Sequence, residues 1–145
     1  AGAPVVLVRA GFSPDFGDAP RQRVDQPSRL ALDSLPPAWF ELCDGLAQPT
    51  DIMVVKRQWG AFYGTDLDLQ LRRRGVKTIV IGGVSTNAGV ESTVRAGWEH
   101  GYEMVVAEDA CASSISTELH DVAIRVIFPR LSRVMRSADV GFTAS

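Results

Sequence analysis

The chain has 145 residues, 46% of them hydrophobic, with 15 Lys plus Arg against 17 Asp plus Glu, a formal net charge of -2 and a pI near 5.6. That length supports about one domain with a real core, and the lack of an eighteen-residue apolar run excludes a membrane-spanning helix of the ordinary kind. The near balance of charge removes any global electrostatic case for nucleic acid or an anionic membrane surface, which leaves a small molecule or another protein chain as partner.

In chain order, Ala1, Gly2, Ala3 and Pro4 look like the end of a helix, Gly2 serving as its stop, so the sequence reads as beginning in mid-fold. Residues 4–9 (Pro-Val-Val-Leu-Val-Arg) form a buried-type strand. From 11 to 50 the pattern dissolves into Pro, Gly, Asp and Arg with isolated aromatics at Phe12, Phe16, Trp39 and Phe40, and only 38–46 suggests a short helix. Such a stretch is a lid, an interface arm or disorder; Arg21, Arg23 and Arg29 read as a solvated face rather than an anion site. A second strand covers 51–55 and ends at Lys56, followed by a loop over 57–64. Thr65 with Asp68 is a variant capping box for a helix carrying Leu67, Leu69 and Leu71, which stops at Arg74-Gly75. A third strand covers 78–81, a helix runs from about Asn87 to His100, and Glu91 pairs with Arg95 one turn on. A fourth strand spans 103–107. Ser116 then caps a helix with Leu119, Val122, Ala123, Val126 and Ile127 on one face, stopped by Pro129, and 133–140 is a weaker final strand. Strands and helices alternating in this way define a single α/β domain over 1–145 with a mostly parallel sheet and right-handed crossovers.

Chemistry is expected between Lys77 and Thr93. An uncharged β-branched strand breaks at Gly82-Gly83 into Ser85-Thr86-Asn87 and then a helix. A turn of this kind at the carboxyl end of a parallel strand aims bare N–H groups and the positive end of a helix dipole at a crevice. The spacing Gly82, Gly83, Gly89 does not match Gly-x-Gly-x-x-Gly, and no Lys follows Gly89, so neither a dinucleotide fingerprint nor a phosphate loop is present. Lys56, the 59–65 segment, the 83–89 turn and Asp109-Ala110 all fall at one edge of the expected sheet. Trp59, with polar neighbours, is a candidate pocket wall together with Tyr63, whereas Phe62 reads as core. Cys43 and Cys111 lie far apart and outside any C-x-x-C pattern, which argues against a zinc site and fits a reducing, cytoplasmic compartment. Cys43 reads as structural beside Trp39 and Phe40, Cys111 as a small buried residue and Asp109 as a turn-capping carboxylate. His100 and His120 read as helix-surface residues without a partner.

Lys56 with Ala61-Phe62 and Thr65-Asp66-Leu67, the run from Gly83 to Thr93, Gly101-Tyr102, Glu108-Asp109-Ala110 and His120 together resemble the isochorismatase-like hydrolases, also called cysteine hydrolases. The resemblance implies a Rossmann-like α/β/α sandwich, a small-molecule substrate, no cofactor and a homo-oligomer. It also implies a triad of Asp, Lys and Cys, in which Lys56 matches the Lys. Gly89 occupies the nucleophile position, with no thiol there. The triad Asp belongs to a first strand that nothing in this sequence matches, so the sequence is expected to be a fragment or to have an unrecorded N-terminal segment; an intact mass of 15.7 kDa for a folded, stable protein would refute this. The resemblance further implies a cis peptide at Val84-Ser85, with the amides of Ser85 and Gly89 lining an oxyanion site and Val84 touching substrate. Without sulfur, the expected reaction is hydrolysis of a vinyl ether such as isochorismate. The alternatives are a water-attack amide hydrolase and a non-catalytic ligand-binding or scaffold member.

Overall fold

A computed structural model of the chain describes residues 2–28 and 31–142. Arg29 lies outside the described residues. The chain forms five strands and three α-helices in the described residues: β1 (Val6–Ala10), β2 (Ile52–Lys56), α1 (Leu67–Arg73), β3 (Thr78–Val84), α2 (Glu91–Glu99), β4 (Glu103–Ala112), α3 (Thr117–Val122) and β5 (Arg133–Met135). Every pairing is parallel, β3-β4 and β4-β5 through helical crossovers and β1-β2 through the long segment 11–51, but the strands fall into two sheets, β1-β2 and β3-β4-β5. Between the free edges of β1 and β3 runs a cleft of about 2440 Å³, lined along its length by both strands and reaching Lys56, Ser85 and Gly89.

The core lies where α1, α2 and the helical turns after α3 cover β2 and β4, and it is built on Val54, Val94, Val106, Phe128 and Leu71. Fully burying side chains of this size stabilises by about 1.5–3 kcal/mol each. Helix α1 ends as expected, with Gly75 at φ 67° just beyond the cap at Arg74. Leu67 and Leu71 are buried and Leu69 is exposed. The Thr65 hydroxyl accepts from the Leu67 amide, but Asp68 does not complete a capping box. Its carboxylate accepts instead from the Tyr102 hydroxyl at 2.7 Å and pairs with Arg72 at 3.2 Å. Glu91 and Arg95 pair at 2.9 Å, as the one-turn spacing dictates.

Five elements depart from the sequence pattern. β3 does not break at Gly82 but continues to Val84, with a register shift between Ile81 and Gly83, and β4 continues beside it to Ala112. The helix expected over 38–46 reduces to one 3-10 turn, Pro37–Phe40, because the chain extends again at Glu41 and turns at Gly45 with φ 77°. The last strand ends at Met135, since the Asp109 carboxylate accepts from the Ser137 amide and hydroxyl and draws the chain into the turn Ser137–Asp139. Finally, of the face expected for the third helix Ala123 is buried and Ile127 packs on the core, but Ile124 and Phe128 take the place of Leu119, Val122 and Val126, because a π turn at Ala123–Ile127 shifts the helical phase.

The aromatics of the long segment are not isolated. Phe12, Phe16 and Phe40 pack with ring centroids about 6 Å apart and Trp39 stacks edge-on against Phe40. Arg9 donates to the Phe40 carbonyl at 3.1 Å, and Asp18 pairs with Arg57, one residue beyond β2. The segment is thereby folded back onto the carboxyl ends of β1 and β2.

Candidate active site

The carboxyl ends of β2 and β3 meet at the upper end of the cleft, where open α/β sheets bind their ligands. β2 delivers Lys56, and the loop after it turns back so that the Lys56 ammonium donates to the Trp59 carbonyl. Burial pulls the Lys56 pKa below its ordinary 10.5, because the charged form loses hydration. No carboxylate pairs with Lys56 among the described residues, so its cation faces the cleft with only a carbonyl partner.

β3 delivers the second half of the site. Gly82 is required by close approach: a Cβ there would sit 2.9 Å from both the Ala110 Cβ and the Ala110 carbonyl oxygen of β4. The Val84-Ser85 peptide is cis, and the chain then winds through a π turn, Thr86–Val90, into α2. Ser85 and Gly89 thus lie at the two ends of a single turn over the cleft. The side-chain position of Gly89 points straight at the Lys56 ammonium; a Cβ built there would lie 3.0 Å from Nζ and 3.3 Å from the Trp59 carbonyl. Position 89 and the Lys56 ammonium therefore adjoin each other in the cleft.

Thr93, one turn after Gly89, fastens the two halves together. Its buried hydroxyl donates to the Gly89 carbonyl at 2.7 Å and accepts from the buried Ala61 amide at 3.1 Å. The sequence reading missed this residue, although its spacing of four from Gly89 on a helix was a usable signal. It also missed the polar backing of the turn. Ser85 Oγ accepts from the Ser114 amide at 2.7 Å, Ser113 Oγ donates to Asn87 Oδ1 at 2.7 Å, and Thr86 Oγ1 lies 2.8 Å from His120 Nδ1. His120, expected to be partnerless, is thus bonded to a fully buried threonine.

The remaining candidates separate. Val84 (71% exposed) and Trp59 (66% exposed) both line the cleft, while Tyr63 (81% exposed) lies outside it. Gly64, at φ 68°, turns the chain away beside Tyr63, and the Tyr63 carbonyl is held by the Gln58 amide. Phe62 is core, stacked on Tyr102 and His100. Asp109 is not at the site; its hydrogen bonds to Ser137 hold its carboxyl below the usual range and keep it at β5. Cys111 is half-buried on β4, and burial raises its thiol pKa, whereas Cys43 is exposed in a turn rather than packed as a structural residue.

Parallel strands in two sheets, covered by helices and with a lysine and a helical turn at the strand ends, define an α/β protein with its candidate site at those ends, and comparison with known proteins makes the assignment specific. The isochorismatase domain pattern matches residues 1–139, and the chain belongs to the isochorismatase family, whose members are hydrolases. It is 54% identical over 141 residues to the Escherichia coli O157:H7 isochorismatase family protein YecD, covering 97% of this chain and 73% of that one. It is 33% identical to a ureidoacrylate amidohydrolase, RutB, of Methylorubrum extorquens, covering 88% of this chain and 57% of that one. An isochorismatase family protein from Burkholderia thailandensis superposes with a TM-score of 0.88 at 44% identity, covering 94% of this chain and 71% of that structure. The chain thus spans between about half and three-quarters of the length of these relatives.

Proposed function

We propose that this chain is the site-bearing part of a hydrolase that adds water to a small carboxylate-bearing vinyl ether, isochorismate being the reference substrate, without a covalent enzyme intermediate. The observation that carries the reading is Gly89: the position facing Lys56 Nζ at 3.0 Å holds no side chain, so water rather than a thiolate attacks. Lys56 binds the substrate carboxylate, and the amides of Ser85 and Gly89 face the oxygen that becomes negatively charged. In the reaction a carboxylic acid protonates the terminal methylene carbon, and the double-bond electron pair forms the new C–H bond. Water adds to the resulting oxocarbenium carbon and loses a proton. The hemiketal hydroxyl then loses its proton, and the oxyanion so formed collapses to the pyruvate carbonyl with cleavage of the bond to the ether oxygen, which takes a proton, releasing pyruvate and an alcohol.

The acid in this reading sits on a further parallel strand seated between β1 and β3, one strand spacing of about 4.8 Å from each. Two free parallel edges flanking one cleft support this, as does a lysine at the top of that cleft with no carboxylate partner among the described residues. In a polypeptide carrying such a strand, the cleft-edge amides of β1 and β3 become as protected from hydrogen exchange as those of β4; continued rapid exchange would rule the strand out. The exposed apolar row Leu119, Val122 and Val126, with Ile115, is the face on which a second copy docks in the homo-oligomer reading, and a monomer in sedimentation would remove it. A cytoplasmic setting rests on two unpaired cysteines.

Pyruvate release from isochorismate by a polypeptide carrying that further strand, with Lys56→Ala as control, tests the proposal. A second reading, amide hydrolysis by direct water attack, is favoured by the similarity to RutB, whose name specifies an amidohydrolase. Ammonia release from amides without pyruvate release would establish it instead, and ligand binding with neither product would establish a non-catalytic member.

A further inference from the structure

The turn that carries Ser85 and Gly89 is anchored on its far side by the segment that follows β4 and by α3. Three consecutive side chains at its start, Ser85, Thr86 and Asn87, are bonded to Ser114, His120 and Ser113 respectively. Of these, Thr86 is fully buried, so its hydroxyl has no access to water, and His120 Nδ1 at 2.8 Å is the partner that satisfies it. His120 itself is only partly buried on α3, and its ring reaches inward to the first residue of the π turn. The Ser116 cap on the Leu119 amide, at 3.1 Å, fixes the start of α3 and hence the height of the ring.

We propose that His120 is a positioning residue: through Thr86 it holds the 85–90 turn in the geometry that presents the Ser85 and Gly89 amides to the reacting oxygen. The inference rests on the functional reading above for its catalytic consequence, but not for its structural one. Donors aimed at a developing oxyanion act only when placed to within a fraction of an ångström, so releasing one end of the turn costs turnover more than binding. Lys56 and Trp59 do not bond to this segment, which leaves the cation that holds the substrate carboxylate in place.

The experiment uses the full chain with His120→Phe, His120→Asn and Thr86→Val, read by amide hydrogen exchange and then by kinetics. His120→Phe and Thr86→Val each speed exchange of the 85–90 amides about tenfold while the β4 amides are unchanged. His120→Asn, whose side-chain amide reaches the level of Nδ1, restores the slow exchange. With a turned-over substrate, kcat falls about tenfold in His120→Phe at constant KM, and the Thr86→Val, His120→Phe double variant is no worse than either single one. Unchanged exchange in both His120→Phe and Thr86→Val, or additive kinetic losses, would overturn the role. Altered exchange in a polypeptide that carries the further strand and yet turns over neither vinyl ethers nor amides would leave the positioning intact and refute the proposed function.

Discussion

Replacing Thr93 with valine removes one hydroxyl, keeps the volume and separates the two halves of the site. The hydroxyl satisfies the buried Ala61 amide at 3.1 Å and donates to the Gly89 carbonyl at 2.7 Å. An orphaned buried N–H costs about 1–3 kcal/mol and a lost hydrogen bond about 0.5–1.5 kcal/mol. Thr93→Val should therefore destabilise by about 2–4 kcal/mol, a large share of the roughly 5–15 kcal/mol available to a domain. Thr93→Ser, which keeps the hydroxyl and loses a methyl, should cost about 1 kcal/mol. The assay is urea unfolding followed by circular dichroism, in which the midpoint shifts and the slope does not. A Thr93→Val loss no larger than that of Thr93→Ser would show that the hydroxyl does not couple the loop to the turn, and the account of how Lys56 and Gly89 are held together would fail.

Gly82→Ala places a Cβ 2.9 Å from backbone and side-chain atoms of Ala110 and should cost about 1–3 kcal/mol by overpacking, whereas Gly60→Ala, whose nearest neighbour is Ser92 Cβ at 3.5 Å, should be tolerated; equal midpoints in urea would contradict this. Because burial lowers the Lys56 pKa below 10.5, the folded state binds fewer protons than the unfolded one in the interval between its folded pKa and 10.5, so the lysine's contribution to stability rises with pH there. Lys56→Met should abolish that part of the rise, and parallel pH profiles for the two proteins would refute it. Asp18, held by the Ser13 amide and Arg57, should titrate at about 2 rather than 3.8 in a carboxyl NMR titration, its contribution being present above 3.8 and lost as pH falls through about 2; a value near 3.8 would show that the 11–18 segment does not dock on Arg57.

Local chemistry made much of this chain legible in one dimension. Apolar β-branched runs specify the strands, Gly75 and Gly101 end helices, and the Glu91–Arg95 spacing produces its pair. The Lys56 and Gly83-to-Thr93 motifs located the site because strand ends and the turns after them are contiguous in sequence. What the sequence could not decide depends on partners distant along the chain. Asp68 leaves its capping box for Tyr102, the turn that Asp109 caps is the distant one at Ser137, and the long segment's aromatics find one another and Arg9. His120, 34 residues from Thr86, becomes a support of the turn only when β4 has carried the chain back. The π turn after α3 likewise rotates Ile124 and Phe128 inward, since a phase shift within a helix leaves no mark in an apolar periodicity that fits either face. The sequence by itself determined the α/β class, the order of the elements and the strand ends at which the candidate site lies. Tertiary structure alone decided which side chains satisfy its buried polar groups, because a hydrogen bond depends on distance in space and a pattern records only distance along the chain.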